Sequence, residues 1–422
     1  MMVLSCLASV LIQEWVVAQS NFTSTVDQLK PVTQIVPVYQ IQKQVEQLTE
    51  EQNTLRNRLQ TLENRVSTVE EQQFAPTVFL EGEVVLGLTG AVGRDLNDST
   101  VLQSSVELSF NTSFTGEDVL QIGLEGGNSG ELSYVGDITF EGRLDSPSDT
   151  DSGRFELDEL SYTFPISDRA SLYISTTGDD INDFNSVTDD AVSEFGAENP
   201  INNLLEDYGL QLEYELTDDI EISLGYFSDD ANEPDSGAGL FNGNYSAFAQ
   251  LEFEPSDRIS IGLTYVQTYN DSSLETDTGS LRSQIDLDRP VIGNSYGVSA
   301  SFLPSSKVAV GGWVGWTNAS VIDLGDANVW NYAFTLALLD VGQENNILGF
   351  VIGQEPRLTN SEFEIDDRTS DPDTSFHVEA FYRSFLSEQI AVTPGLVWVT
   401  APNHDNSNPD IFLFTVRTTL EF

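Results

Sequence analysis

The sequence predicts an all-β fold, a 16-stranded antiparallel transmembrane β-barrel preceded by an N-terminal α-helical coiled coil, and three observations carry that expectation. Apolar residues recur with a period of two from Pro76 to the last residue. Short polar turns alternate with long acidic connections along that stretch. A separate heptad pattern occupies the region before it.

The clearest strand is the last. Phe412, Phe414, Val416, Thr418, Leu420 and Phe422 fall on one face, and Thr415, Arg417, Thr419 and Glu421 fall on the other. A lipid-facing strand with water behind it needs this alternation, although a soluble sandwich strand shows it too. The turns separate the two architectures. Seven short connections, 115–118, 166–169, 217–219, 255–258, 304–307, 342–345 and 387–389, each join two alternating runs. Tyr208–Leu216 with Ile220–Phe227 and Tyr245–Glu254 with Ile259–Tyr269 are examples. Seven hairpins, one strand before them (Thr77–Leu88) and one after (Asp410–Phe422) make sixteen. An even count with short turns on one side and long loops on the other is the pattern of a membrane barrel. Greek-key sandwiches mix loop lengths at both ends.

Tyr134, Tyr162, Tyr173, Tyr226, Phe227, Tyr265, Tyr269, Trp313, Trp316, Trp330, Tyr332, Tyr382, Phe385 and Trp398 fall near predicted strand ends. Girdles at the headgroup level have this distribution. For any one of these residues, ordinary packing explains the position equally well.

Upstream, Ile41, Val45, Leu48, Gln52, Leu55, Leu59, Leu62, Val66 and Val69 alternate spacings of four and three over about four heptads, with no Gly or Pro from Val38 to Phe74. A seam this narrow points to a coiled coil rather than to an amphipathic helix packed on its own domain. Gln52 at a core position fixes register or strand number at a cost in stability. The predicted organisation is a leader and linker over residues 1–37, a coiled coil over 38–74 and a barrel over 75–422. Within the leader, Met1–Ile12 is a short apolar run and Val16-Val17-Ala18 before Gln19 has the small residues of a signal-peptidase site. Glu14 interrupts it, and the alternative is a displaced start.

Composition narrows the function. The chain of 422 residues carries 17 Lys plus Arg, three of them Lys, against 68 Asp plus Glu, a formal charge of -51. Nucleic acid is excluded as a partner, because phosphate binding needs clustered cations. A hydrophobic content of 39% with 24 Phe is too high for a solvated acidic tail. Cys6 is the only cysteine, and His377 and His404 are the only histidines, so no metal centre, cofactor site or histidine-based triad is expected. No nucleophile motif or phosphate-binding Gly loop is present, and carboxylate pairs are too numerous for any one to mean a glycosidase. The reading is not that of an enzyme.

A channel reading directs attention to charged loops. The connection from Gly178 to Asp207 carries Asp179, Asp180, Asp183, Asp189, Asp190, Glu194 and Glu198, followed by Glu206 and Asp207, and no Lys or Arg. Folded into a lumen, it would favour cations; left outside, it is a solvated surface loop. Counter-charges are available in Arg143, Arg154, Arg282, Arg289, Arg357 and Arg383. Asp366-Asp367 and Asp371-Pro372-Asp373 suit a hard cation, with unpaired surface acid as the plainer reading.

Gln72-Gln73-Phe74 leading into Leu80-Glu81-Gly82-Glu83-Val84 directly after a coiled coil, Ile390-Ala391-Val392-Thr393-Pro394-Gly395-Leu396-Val397-Trp398, Thr400-Ala401-Pro402-Asn403-His404 and Arg417-Thr418-Thr419 with terminal Phe422 resemble the cyanobacterial outer-membrane porins of the carbohydrate-selective OprB type, also called iron uptake porins. The resemblance covers Val38 to Phe422. It implies an outer-membrane location with the coiled coil in the periplasm, and a homo-oligomer with a trimer ahead of a dimer. It also implies diffusion of small ions, iron among them, or of sugars. Phe422 would be the assembly signal read by the barrel-assembly machinery. Members usually carry a surface-layer-homology domain before the coiled coil, and nothing in Met1–Pro37 reads as one. A tether between outer membrane and cell wall is the remaining alternative.

Overall fold

The computed structural model describes Arg58 and residues 78–422 apart from 94–95, 97–98, 129–138, 146–152, 177–185 and 206–207. Contacts divide the chain into Met1–Phe74 and Ala75–Phe422. The predicted seam Ile41 to Val69 lies outside the described residues, as do Tyr134, Asp179, Asp180 and Asp183.

The second unit is a closed barrel in which every strand is hydrogen-bonded to its sequence neighbours and β1 to β16. The strands are β1 (Val78–Val92), β2 (Val101–Thr112), β3 (Val119–Gly127), β4 (Glu156–Ser167), β5 (Ala170–Ser175), β6 (Tyr208–Thr217), β7 (Ile220–Ser228) and β8 (Tyr245–Ser256). They continue as β9 (Ile259–Asn270), β10 (Val291–Ser305), β11 (Val308–Val321), β12 (Gly325–Leu339), β13 (Ile347–Ser361), β14 (His377–Ser387), β15 (Ile390–Val399) and β16 (Ile411–Glu421). All seven predicted turns close hairpins, from β2–β3 through β14–β15. Five of them carry a register shift beside the turn, at Pro165/Ser167, Glu215/Thr217, Phe253/Ser256, Phe302/Ser305 and Phe385/Ser387. Such bulges add local twist where the strands must reverse. On the opposite rim the connections are long, except that β11 and β12 are joined by three residues, 322–324.

Side chains alternate as the period of two requires. On β16, Ile411, Leu413 and Thr415 are buried while Phe412 and Val416 are exposed. The outward set includes Leu86, Leu88, Leu102, Leu210, Leu224, Leu263, Phe334, Ile352 and Leu396, all exposed. A water-facing surface of this kind would be unstable, whereas hydrocarbon solvates it. Two outward aromatic rows run across strands: Tyr226, Tyr245 and Tyr269, and Tyr265, Tyr296, Trp316 and Trp330, with neighbouring centroids 5.1 to 6.1 Å apart. Their register pairs them laterally, as in Tyr296 opposite both Tyr265 and Trp316. Not every predicted girdle residue belongs here. Phe227 and Trp313 point inward and are buried, and Tyr173 packs on the same interior cluster as Phe227.

The apolar core lies inside the barrel, between loops and wall. One cluster joins Ile201 and Leu204 to Phe227, Phe248, Val266 and Val291. A second joins Leu144, Ala191 and Val192 to Phe381, Val397, Val399 and Leu413.

Candidate functional site

The long connection between β5 and β6 enters the lumen. Its described part, 186–205, includes the helical turn α1 (Glu194–Ala197), whose N-cap Ser193 accepts a hydrogen bond from the Gly196 N–H. Close approach to the wall depends on glycine. A β-carbon on Gly297 would sit 2.3 Å from Ile201 Cδ1, and one on Gly395 would sit 2.5 Å from Val192 Cγ2. Between these contacts the Phe195 ring packs edge-on against Trp313, centroids 5.7 Å apart. A second loop, 139–145, lies beside it, through an isolated bridge between Leu144 and Ser193.

Buried carboxylates of the wall hold both loops. Glu379 on β14 accepts the Val192 N–H at 2.6 Å and the Ser193 hydroxyl, and Glu355 on β13 accepts the Gly142 N–H at 2.9 Å and the Thr278 hydroxyl. Glu141, in loop 139–145, is pushed up to about 8 by burial and by Glu355, while it accepts the Thr139 hydroxyl at 2.9 Å. Burial and Arg357 push His404 down to about 3, and as a neutral ring its Nδ1 accepts the Ser375 N–H at 2.7 Å.

The predicted acidic residues take different roles. Asp190 pairs with Arg383, and Asp189 and Asp190 both line a lumen cavity of about 320 Å³ with Glu83, Glu107, Asp145, Thr393 and Arg417. Arg417 is held at 2.7 Å from Asp145 and donates to the Val192 carbonyl. Glu194 is pushed up to about 8 by partial burial and by Asp145 and Asp277, with Arg143 opposing. Glu198 accepts from the Asn202 side chain at 2.9 Å. The loop's charge is therefore partly cancelled by Arg383 and partly suppressed by protonation. Of the other arginines singled out, Arg282 is buried in an ion pair with Asp371 at 3.3 Å, and Arg143 pairs with Asp277 at 3.1 Å. Asp371 is thus not surface acid: it accepts the Ser280 hydroxyl and the Leu358 N–H. Among the described residues no cluster of His, Cys, Asp or Glu is arranged to hold a metal ion.

A second acidic feature of the described residues lies on the wall, outside the loop that the sequence singles out. Glu421, Glu83, Glu107, Glu125 and Glu156 are direct register partners across β16, β1, β2, β3 and β4. They share the inward parity of Val85, Ser105 and Gly123, so five carboxylates form an arc of roughly 20 Å at about 4.8 Å per strand. Glu159 extends the patch and accepts from Gln121. Glu107 and Glu125 each lie nine residues from Gly116 of the Thr115–Asp118 turn, a signal that hairpin register could have supplied.

Several inward rings are not available for stacking. Phe227, Phe248, Trp313 and Phe381 are 0 to 5% exposed, covered by loops or wall.

Comparison with known proteins agrees with this geometry. The family model described as carbohydrate-selective porin, OprB family, matches residues 46–422. An uncharacterised protein of Nostoc sp. (strain PCC 7120) is 31% identical over 419 residues, covering 90% of this chain and 72% of that protein. A second uncharacterised protein, of Synechocystis sp. (strain PCC 6803), is 27% identical over 391 residues, covering 84% and 70%. The fold is similar to OprB of Pseudomonas putida in its high-pH structure, with TM-score 0.55, 11% identity and 84% and 96% of the two chains covered. It is also similar to the anion-selective porin of Comamonas acidovorans, with TM-score 0.55, 11% identity and 82% and 100% covered. The family model spans the whole closed barrel, and the chain belongs to the carbohydrate-selective OprB family of outer-membrane porins.

Proposed function

We propose that the barrel conducts small hydrophilic solutes passively and favours cations, with inorganic ions, iron species among them, as the transported class. The observation that carries this reading is the wall arc Glu421–Glu83–Glu107–Glu125–Glu156, which shares the lumen with Asp189 and Asp190 of the inner loop. Like charges a strand apart raise the local cation concentration and repel anions. The inner loop 186–205 is the element that narrows the passage, and Asp189, Asp190, Glu194 and Glu198 are its candidate selectivity residues; Asp179, Asp180 and Asp183 are candidates from the sequence of the same connection.

A saccharide-selective channel is the second reading, favoured by the family's description. The burial of Phe227, Phe248, Trp313 and Phe381 weighs against a stacking track on their part of the wall.

The working unit we propose is a homo-oligomer, a trimer ahead of a dimer, with the coiled coil 38–74 in the periplasm. Strands need about 9–11 residues to cross a bilayer; β5, with 6, falls short of this, and β3 and β7, with 9, are at its lower limit. A wall this low on one side suits a second copy of the chain better than lipid.

Single-channel recording in a planar bilayer under a salt gradient tests the proposal, with sugars and iron salts added as blockers. Stepwise conductance with a cation-favouring reversal potential is expected. Block by sugars with a reversal potential near zero would move the assignment to the saccharide channel. Absence of channels from heat-modifiable, folded protein would leave the tether.

A further inference from the structure

His377 begins β14 and is fully buried, with one carboxylate on each ring nitrogen. Nδ1 lies 2.7 Å from Glu355 Oε1, and Nε2 lies 3.3 Å from Glu379 Oε2. A neutral imidazole has one N–H; serving two carboxylates takes two, which only the imidazolium has. The remaining carboxylate valences reach three loops. Glu379 accepts from Val192 and Ser193 of the inner loop, and Glu355 accepts from Gly142 of loop 139–145 and from Thr278 of the β9–β10 connection. The Phe195 ring of the inner loop covers the imidazole, centroids 5.0 Å apart.

We propose that His377 is the positioning residue of the constriction: its cation sits between the Glu355 and Glu379 carboxylates and so lets them hold the inner loop in the lumen. The inference rests on the reading of loop 186–205 as the element that narrows the passage. Without the cation, two buried carboxylates keep only neutral donors, and the relief open to them is protonation of one or movement of Glu379 away from the Val192 and Ser193 donors. The loop would then lose its anchor at Val192 and Ser193, keeping the Asp190–Arg383 pair, the Arg417 bond to the Val192 carbonyl and apolar contacts such as Val192 on Gly395 and Ile201 on Gly297. The role is one of charge, so it differs from simple space filling. Removing one carboxylate together with the histidine should restore the loop.

The test compares the full-length chain with His377→Gln and with His377→Gln/Glu355→Gln, reading unitary conductance and hydrogen exchange of the Ala191–Gly196 amides. For His377→Gln the expected result is a conductance increase of about twofold and faster exchange at Val192, with both returning towards the parent in the double variant. Parental conductance and exchange in His377→Gln, or no recovery in the double variant, would overturn the proposal. Faster exchange at unchanged conductance would keep His377 as the loop's anchor and discard the loop as the constriction. If His377→Gln forms no heat-modifiable barrel, recovery of folding in the double variant supports the charge role and its absence overturns it.

Discussion

Phe422, the last residue, and Gly82 of β1 exchange both backbone hydrogen bonds at 2.9 Å, and the phenyl ring lies over the glycine, where a β-carbon would sit 2.4 Å from Cζ. This pair closes the barrel at the rim of the short turns. The ring covers backbone that glycine leaves bare, and the strand ends meet with nothing between them.

Gly82→Val should therefore displace the ring and cost about 1–3 kcal/mol through overpacking, read as a lower yield of heat-modifiable barrel. With Phe422 as the assembly signal that the resemblance implies, Phe422→Ala should lower assembly in cells by more than it lowers refolding in detergent. Equal losses in both would reduce Phe422 to a packing role.

The glutamate arc predicts selectivity directly. Replacing Glu83, Glu107 and Glu125 together by Gln should lower the cation-to-anion permeability ratio about two- to threefold, measured as a shift of the reversal potential towards zero. An unchanged potential would exclude the arc from the conducting path.

Glu194 gives a pH dependence with a definite sign. Burial with Asp145 and Asp277 holds its proton up to about pH 8, while the released loop would lose that proton in the ordinary carboxylate range. Between those two values the folded loop binds the extra proton, so its stability falls as pH rises and is greatest at low pH. Exchange protection of residues 186–199, corrected for intrinsic rates, should weaken from pH 5 to pH 9 in the parent. The dependence should be shallower in Glu194→Gln, and identical profiles would contradict the assignment.

Orientation against lipid can be tested on adjacent positions of β9. Leu263→Arg puts a charge on the lipid face and should cost about 2–4 kcal/mol near the midplane, whereas Thr264→Arg points into the aqueous lumen and should cost far less. Equal destabilisation in a lipid refolding titration would argue against the inside–outside assignment.

Much of the barrel could be read from local pattern. The seven hairpin turns, the count of sixteen and the face each residue of β16 occupies all emerge from turn chemistry and a period of two, which act between near neighbours. The last strand, expected at Asp410–Phe422, is observed at Ile411–Glu421. Tyr173, Phe227 and Trp313 escaped this reading because aromatics near strand ends suggest a girdle, while parity and overlying loops put these three inside. The sequence marks the acidic loop as a lumen candidate and Arg383 as an available counter-charge, but not the pairing of Arg383 with Asp190, 193 positions away, nor the bond from Arg417 to the Val192 carbonyl, 225 positions away.

By itself, then, the sequence determined strand number, hairpin connectivity, the lipid-facing side and the acidic character of the channel, since alternation and turns are properties of neighbouring residues. Tertiary structure alone decided that loop 186–205 lies against the wall, that His377 bridges Glu355 and Glu379, and that Glu83 stands between Glu107 and Glu421. Each of these depends on where barrel closure brings distant strands, and on inward glycines at Gly297 and Gly395 that leave room for a loop from far along the chain.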